Sequence, residues 1–177
     1  MYAFQGNTWN SLGALTALVQ RFADIEILIV GRGDEDELRE SAGDLSGHLR
    51  FLGQVDDATK AAAMRSADVY CAPNTGGESF GIVLVEAMAA GLPIVAPPVG
   101  DVPRMVSAEN LPFVAEYATE VKLRDAMQPL LNDAALRAQV GAANQAKARA
   151  EYDEGVMIAR YAALYEEAMG RPGVLRG

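Results

Sequence analysis

The 177-residue chain is poor in the residues that many chemistries require. It has one cysteine, Cys71, and one histidine, His48. A single cysteine excludes an internal disulfide. Cys71 also falls in an apolar run that reads as a buried strand, where a thiol is inert. A lone histidine with no partner motif supports neither a catalytic triad nor a metal cluster, so His48 reads as an ordinary surface or half-buried side chain. Cations are scarce: 15 Lys and Arg stand against 24 Asp and Glu, a net charge of −9, with a pI near 4.6. That balance argues against nucleic acid as a bulk partner, because phosphate backbones are held by clusters of Lys and Arg. It leaves room for one nucleotide, which a few local donors can hold. No apolar run reaches the length of a membrane span. The first residues lack a basic region followed by an apolar stretch, so a cytoplasmic location is expected. No Gly-Lys-Ser/Thr follows a glycine loop, which removes the phosphate-binding P-loop. Internal repeats and low-complexity linkers are absent too.

Half of the residues are apolar, enough for a core in one domain or one lobe of a larger protein. Residues 1–4 suit the end of a strand and residues 10–22 an amphipathic helix. The β-branched run at residues 25–30 reads as a strand buried on both faces. A helix over residues 34–42 follows, with acids in its first turn as the helix dipole favours. Residues 49–52 read as a strand, and Asp56 as the N-cap of a helix through Ser66. Residues 68–72 and 92–96 are further strands, separated by a helix from Phe80–Gly81 through Ala90 that Gly91 stops. Beyond Gly100 the expectations are a short helix at 103–108 and a last strand at 113–114. Three helices follow, at 120–132, 134–151 and 154–170, with Pro129 a candidate kink in the first. The alternation of strand and helix predicts an α/β fold, a Rossmann-like parallel sheet with helices on both faces. The helical C-terminal tail is expected to cap the sheet and to carry no chemistry. Ligands of such sheets bind at the carboxyl ends of the strands. The glycine-rich loops at 31–33, 74–77 and 97–100 all follow strands and are expected on that rim.

The informative stretch is residues 71–100. Gly76 and Gly77 allow the backbone to turn tightly and to approach a ligand. The helix after them offers free N–H groups and the positive end of its dipole, a site for phosphate. Glu78 precedes that helix and Glu86 lies inside it, so a hydroxyl acceptor flanks the phosphate site on each side. A sugar nucleotide has those three parts: sugar, diphosphate and ribose. Other motifs have plainer explanations. Gly31-Arg32-Gly33 follows a strand, but the third glycine of a dinucleotide fingerprint would fall at Asp36, where a negative charge opposes a pyrophosphate. Asp34-Glu35-Asp36 spells an acid-x-acid triplet, yet the helix dipole alone accounts for it, and i and i+2 do not face each other on a helix. Arg104 and Arg32 sit on rim loops and are phosphate candidates, Arg32 the stronger because two glycines flank it. A nucleotide-sugar epimerase or dehydrogenase needs a complete fingerprint or a Tyr-x-x-x-Lys pair, and neither is present.

Glu78-Ser-Phe-Gly-Ile-Val-Leu-Val-Glu86-Ala-Met-Ala-Ala-Gly91 resembles the Glu-x7-Glu signature of retaining GT-B glycosyltransferases. Within that family, residues 24–91 resemble the bacterial phosphatidylinositol mannosyltransferases. The resemblance implies a single nucleotide-sugar-binding lobe over residues 1–177, the C-terminal donor lobe without its N-terminal acceptor lobe. Carried over, Glu78 bonds the transferring sugar and is the catalytic candidate. The backbone amides of Phe80, Gly81, Ile82 and Val83 meet sugar and diphosphate, and Glu86 holds the ribose hydroxyls. Guanine lies against Val55, Asp57 and Lys60. Gly31 and Arg32, on the glycine loop after a strand, are added to the expected donor site from their own position and not from the resemblance. The implied substrate is GDP-mannose, transferred with retention and without metal or cofactor, and the isolated lobe is expected to be weak or inactive.

Three departures bear on that reading. The family's basic clamp on the diphosphate, an Arg…Lys-Gly arrangement, is replaced by Gln5-Gly6-Asn7, and no Arg or Lys precedes Arg21. Each lost charge-assisted contact costs about 1.5–3 kcal/mol. The acceptor lobe is missing. The match to the mannosyltransferases also fades after Gly91 and before Ala23, where other GT-B enzymes fit better. A hybrid or engineered α/β scaffold that keeps the fold without the activity is therefore the alternative expectation.

Overall fold

Short, apolar, parallel strands bury both faces when helices form the crossovers. The structure, a computed structural model, follows that rule. It describes residues 2–4, 25–31, 34–72, 81–117 and 119–170. The strands Tyr2–Phe4 (β1), Ile27–Val30 (β2), Leu49–Gly53 (β3), Val69–Cys71 (β4) and Ile94–Val95 (β5) form one sheet in the order β3-β2-β1-β4-β5. Every neighbouring pair is parallel. The order reverses between β1 and β4, and that switch point is where doubly wound sheets open a crevice. The expected helix at 10–22 and the loop at 74–77 lie outside the described residues.

The helices are Glu35–Ala42 (α1), Asp57–Ser66 (α2), Ile82–Ala89 (α3), Val102–Met105 (α4), Glu120–Asn132 (α5), Ala134–Glu151 (α6) and Glu154–Gly170 (α7). Strand residues alternate between two cores, as a period of two requires. Ile27, Leu49, Val69, Cys71 and Val95 face Leu123, Met127 and Leu130 of α5 and Val140 of α6. On the other face, Tyr70 and Ile94 meet Met64 of α2, Leu84 and Met88 of α3, and Met105 of α4. Leu28 and Val30 pack there against Ala63 of α2. Helix α6 joins the two layers, because its Ala148 belongs to the second core and its Val140 to the first.

The outer edge of the sheet is closed by side chains. Asn110 Oδ1 accepts from Ile94 N–H at 2.7 Å, and Asn110 Nδ2 donates to Ile94 C=O at 2.9 Å. The amide thus occupies the place of the next strand. Asn144, from the middle of α6, donates to Leu92 C=O at 2.9 Å and to Asn110 Oδ1 at 2.8 Å, and accepts from Ser107 N–H at 3.0 Å. Both asparagines are fully buried. One more close fit ties α6 down. Gly91 takes φ 82 just past α3, and a Cβ at Gly141 would lie 2.0 Å from the Gly91 carbonyl oxygen. Only glycine at 141 permits that approach.

Three expectations change. The last strand at 113–114 is a single parallel bridge from Val114 to Ala96, since Phe113 belongs to a 3-10 turn, Ala108–Phe113, and Asn110 already occupies the sheet edge. The helix expected at 103–108 is Val102–Met105, ended where Val106 becomes extended. The tail divides: α5 and α6 cap the sheet, whereas α7 buries none of its residues and leaves Met157, Ile158, Tyr161, Leu164 and Tyr165 exposed. Val121, in the first turn of α5, is exposed as well.

Candidate functional site

The rim at the carboxyl ends of the strands carries the starts of α2 and α3. Helix α2 begins as its sequence predicts. Asp56 is the N-cap and accepts from Thr59 N–H at 2.7 Å. The Thr59 side chain first, and then this backbone bond, hold the Asp56 carboxyl below the usual carboxylate range. Val55, just before the cap, packs partly buried against Leu28, Val30 and Ala63. Asp57 and Lys60 follow on the first turn, three residues apart and therefore on one face.

Helix α3 starts differently. Helices α1, α2, α5 and α6 open on a capping side chain, from Asp34, Asp56, Thr119 and Asp133. Helix α3 opens on Gly81, buried and left-handed at φ 51, with no side-chain cap and no acid in its first turn. Its first-turn amides thus have no capping side chain among the described residues. The far end is well finished. Gly91 N–H bonds Met88 C=O and Leu92 N–H bonds Ala87 C=O, a Schellman closure, and Gln145 of α6 donates to Ala89 C=O. The helix begins at Ile82, just past the expected Phe80–Gly81, so Gly81 is its cap and the first-turn amides include those of Ile82 and Val83.

The two helices meet through charge. Lys60 Nζ lies 2.8 Å from Glu86 Oε1 and 3.2 Å from Asp57 Oδ1. The Lys60 side chain is 21% exposed, Glu86 35% and Asp57 99%. The hydrogen bond that Lys60 donates to Glu86 is the main reason that the Lys60 ammonium titrates above its ordinary value, with Asp57 adding to it and burial opposing. The structure thus brings together Asp57, Lys60 and Glu86, three of the residues expected at a donor site.

The other expected residues divide. Arg32, Glu78 and Phe80 lie outside the described residues. Gly31 follows β2 on the rim, and its N–H donates to Gly53 C=O at 2.9 Å. Val83 lines a small hollow with Ala72, Ala96, Pro97 and Val99, beside the ends of β4 and β5. Ile82 is 70% exposed. Its side chain lines an apolar groove of about 600 Å³ with Val85, Tyr152 and α7 residues Met157, Tyr161 and Leu164. Arg104 is exposed on α4 and pairs with Asp101. His48 is half-buried, and its Nδ1 donates to Ile25 C=O at 2.8 Å, a structural tie as anticipated. Cys71 is buried, and burial alone pushes its thiol up to about 12, consistent with an inert group. Asp34 accepts from Glu37 N–H and is a helix cap. Sequence reading missed Asn110, Asn144 and Gly141. The spacing of Val140, Asn144 and Ala148 puts a poor helix former on the buried stripe of an Ala-rich helix, and that was the available signal.

With this geometry in view, the chain can be set beside known proteins. The family model described as "Glycosyl transferases group 1" matches residues 9–133. The chain belongs to that family. A phosphatidyl-myo-inositol mannosyltransferase of Mycolicibacterium smegmatis is 55% identical over 160 residues, covering 90% of this chain and 41% of that protein. The chain thus spans about two fifths of this relative. Among solved structures, sucrose-phosphate synthase from Thermosynechococcus elongatus superposes with a TM-score of 0.82 at 23% identity, covering 96% of this chain and 45% of that one. Anabaena HepE in complex with UDP gives a TM-score of 0.79 at 23% identity, over 94% of this chain and 48% of that one. These two establish the GT-B, Rossmann-like fold. The mannosyltransferase match runs over 160 residues and so extends well past Gly91. The length of that match does not favour the hybrid alternative.

Proposed function

We propose that this group 1 glycosyl transferase chain is the donor lobe of a retaining mannosyltransferase, one unit over residues 1–177 that binds GDP-mannose. The observation that carries the reading is the convergence of Asp57, Lys60 and Glu86 at 2.8 and 3.2 Å beside the uncapped start of α3. A nucleotide diphosphate fits such a place by its charges. The α3 amides of Ile82 and Val83 and the helix dipole suit the anion. Glu86 suits the ribose hydroxyls, and Asp57 suits the N1–H and amino group of guanine. The reaction asks the lobe mainly to stabilise the departing diphosphate, and preorganised backbone donors supply that without reorganisation. Glu78, Phe80, Gly81, Gly31 and Arg32 complete the proposed donor set, with Glu78 as the group that meets the transferring sugar.

The kinship with the mannosyltransferase of M. smegmatis supports the choice of sugar. Its greater length supports an acceptor lobe contributed by a separate region. The reading needs neither metal nor cofactor, and it carries a cytoplasmic location, where a lone thiol such as Cys71 stays reduced. No helix among the described residues is long and apolar enough to cross a membrane. Because the Anabaena structure holds UDP, uridine donors are the competing ligand. A two-dimensional NMR titration with GDP, GDP-mannose and UDP decides among these outcomes. Saturable shifts at residues 55–60 and 81–86, strongest with the guanine nucleotides, are expected. A preference for UDP transfers the reading to uridine donors. No shifts up to millimolar nucleotide would leave a fold without a working site.

A further inference from the structure

Lys60 entered the reading as a residue that touches the base. The geometry points to a different task. An ammonium has three protons to give. Lys60 directs its group at Glu86 Oε1, 2.8 Å away, and at Asp57 Oδ1, 3.2 Å away. Its side chain is the least exposed of the three, while Asp57 is almost fully in solvent. Lys60 is therefore a brace between α2 and α3, two helices 26 residues apart in the chain at this pair.

We propose that Lys60 is a positioning residue that holds the Glu86 carboxylate for a ribose diol and does not itself read the base. The proposal deepens the donor-lobe reading and rests on it. A carboxylate offers about four acceptor sites on two oxygens. The ion pair engages Oε1, and Glu86 keeps 35% of its side chain exposed, so acceptor capacity remains for two hydroxyls. Without Lys60, Glu86 is free to turn among rotamers, and binding must order it. Immobilising such a side chain is worth roughly two- to tenfold in affinity. The loss falls on ligands that use Glu86 and spares those that do not.

The test compares two ligands against four forms of the full chain by calorimetry. The ligands are GDP and its 2′,3′-dideoxy counterpart. The forms are the parent, Lys60→Met, Lys60→Arg and Glu86→Gln. The expected result is that Lys60→Met weakens GDP about fivefold and leaves the dideoxy nucleotide unchanged. Glu86→Gln follows the same pattern, and Lys60→Arg, which keeps the charge, recovers most of the loss. Equal weakening of both nucleotides by Lys60→Met overturns the proposal, because Lys60 then contacts base or phosphate directly. No weakening of GDP by Lys60→Met also overturns it. A parent that binds both ligands equally removes the diol contact of Glu86, and the proposal with it, while nucleotide binding stands. A parent that binds neither overturns the donor-lobe reading itself. In that case a Lys60 ammonium that NMR finds titrating lower in Glu86→Gln than in the parent marks the pair as a purely structural brace.

Discussion

Among the described residues, two of the polar clusters that join secondary-structure elements stand at opposite ends of the burial scale. Asn110 and Asn144 are fully buried, neutral and bonded to Ile94, Leu92 and Ser107 backbone groups. Lys60, Glu86 and Asp57 are charged, and all three reach solvent. Burial demands that every donor and acceptor be met inside the protein, since an unmet one costs about 1–3 kcal/mol. The asparagine pair therefore keeps little capacity for a ligand and acts as a lock. Solvent relaxes that demand at the rim, so the ion pair contributes little to stability, and its spare acceptors are available to a ligand. Completeness of internal hydrogen bonding, more than residue type, is the reason that the rim cluster and not the asparagine pair is the proposed ligand site.

Substitutions can break this contrast. The largest effect is expected at Gly141, where Gly141→Ala drives a Cβ into the Gly91 carbonyl oxygen and costs roughly 3 kcal/mol in urea unfolding. Asn144→Ala comes next, at about 2–3 kcal/mol by the same measurement, since it strands Ser107 N–H and Leu92 C=O. Nucleotide affinity should survive in both variants wherever they remain folded. Glu86→Gln reverses the pattern. Its unfolding free energy changes by under about 1 kcal/mol, while GDP affinity read by titration falls about tenfold.

The smaller effects follow pH. The Lys60 ammonium is raised above its ordinary value of 10.5, chiefly by Glu86. A raised lysine stabilises the folded state fully below its unfolded pKa and ceases to do so as pH rises through the folded value. Stability of the parent relative to Lys60→Met should thus be constant near neutrality and shrink only in strong alkali. Asp56 has the opposite sign. Its carboxyl is lowered by the bonds from Thr59, so its contribution is present above the ordinary value of 3.8 and is lost as acid protonates it. Asp56→Ala should give the smallest drop in Tm at neutral pH, and the drop should vanish in strong acid.

Much of this architecture was legible beforehand. The cap at Asp56, a strand within residues 25–30, and helices α5, α6 and α7 sit where periodicity and capping residues put them. Signals of that kind are local: a dipole, an N-cap or a hydrophobic period acts within a few residues. The misreadings are non-local. Helix α7 has the apolar residues of a capping helix, yet nothing in its own sequence reveals that its neighbours leave Tyr161 and Tyr165 in solvent. The strand at 113–114 was lost to a side chain, because Asn110 took the sheet edge that only assembly creates.

The candidate site divides in the same way. The spacing of Glu78 and Glu86 and the glycines around them suggested the nucleotide-sugar site that is proposed above, and the α/β alternation suggested the rim on which such a ligand would lie. That Lys60 belongs to Glu86 was decided by the fold. The two residues stand 26 positions apart, and no local rule couples them. Packing α2 and α3 on the same face of the sheet sets their charges 2.8 Å apart. Gly141 and Asn144 acquired their tasks likewise, from the approach of α6 to the end of α3. Local propensities act through short stretches of backbone and can be read in order along a chain, whereas contacts between distant elements exist only once the sheet has brought them together.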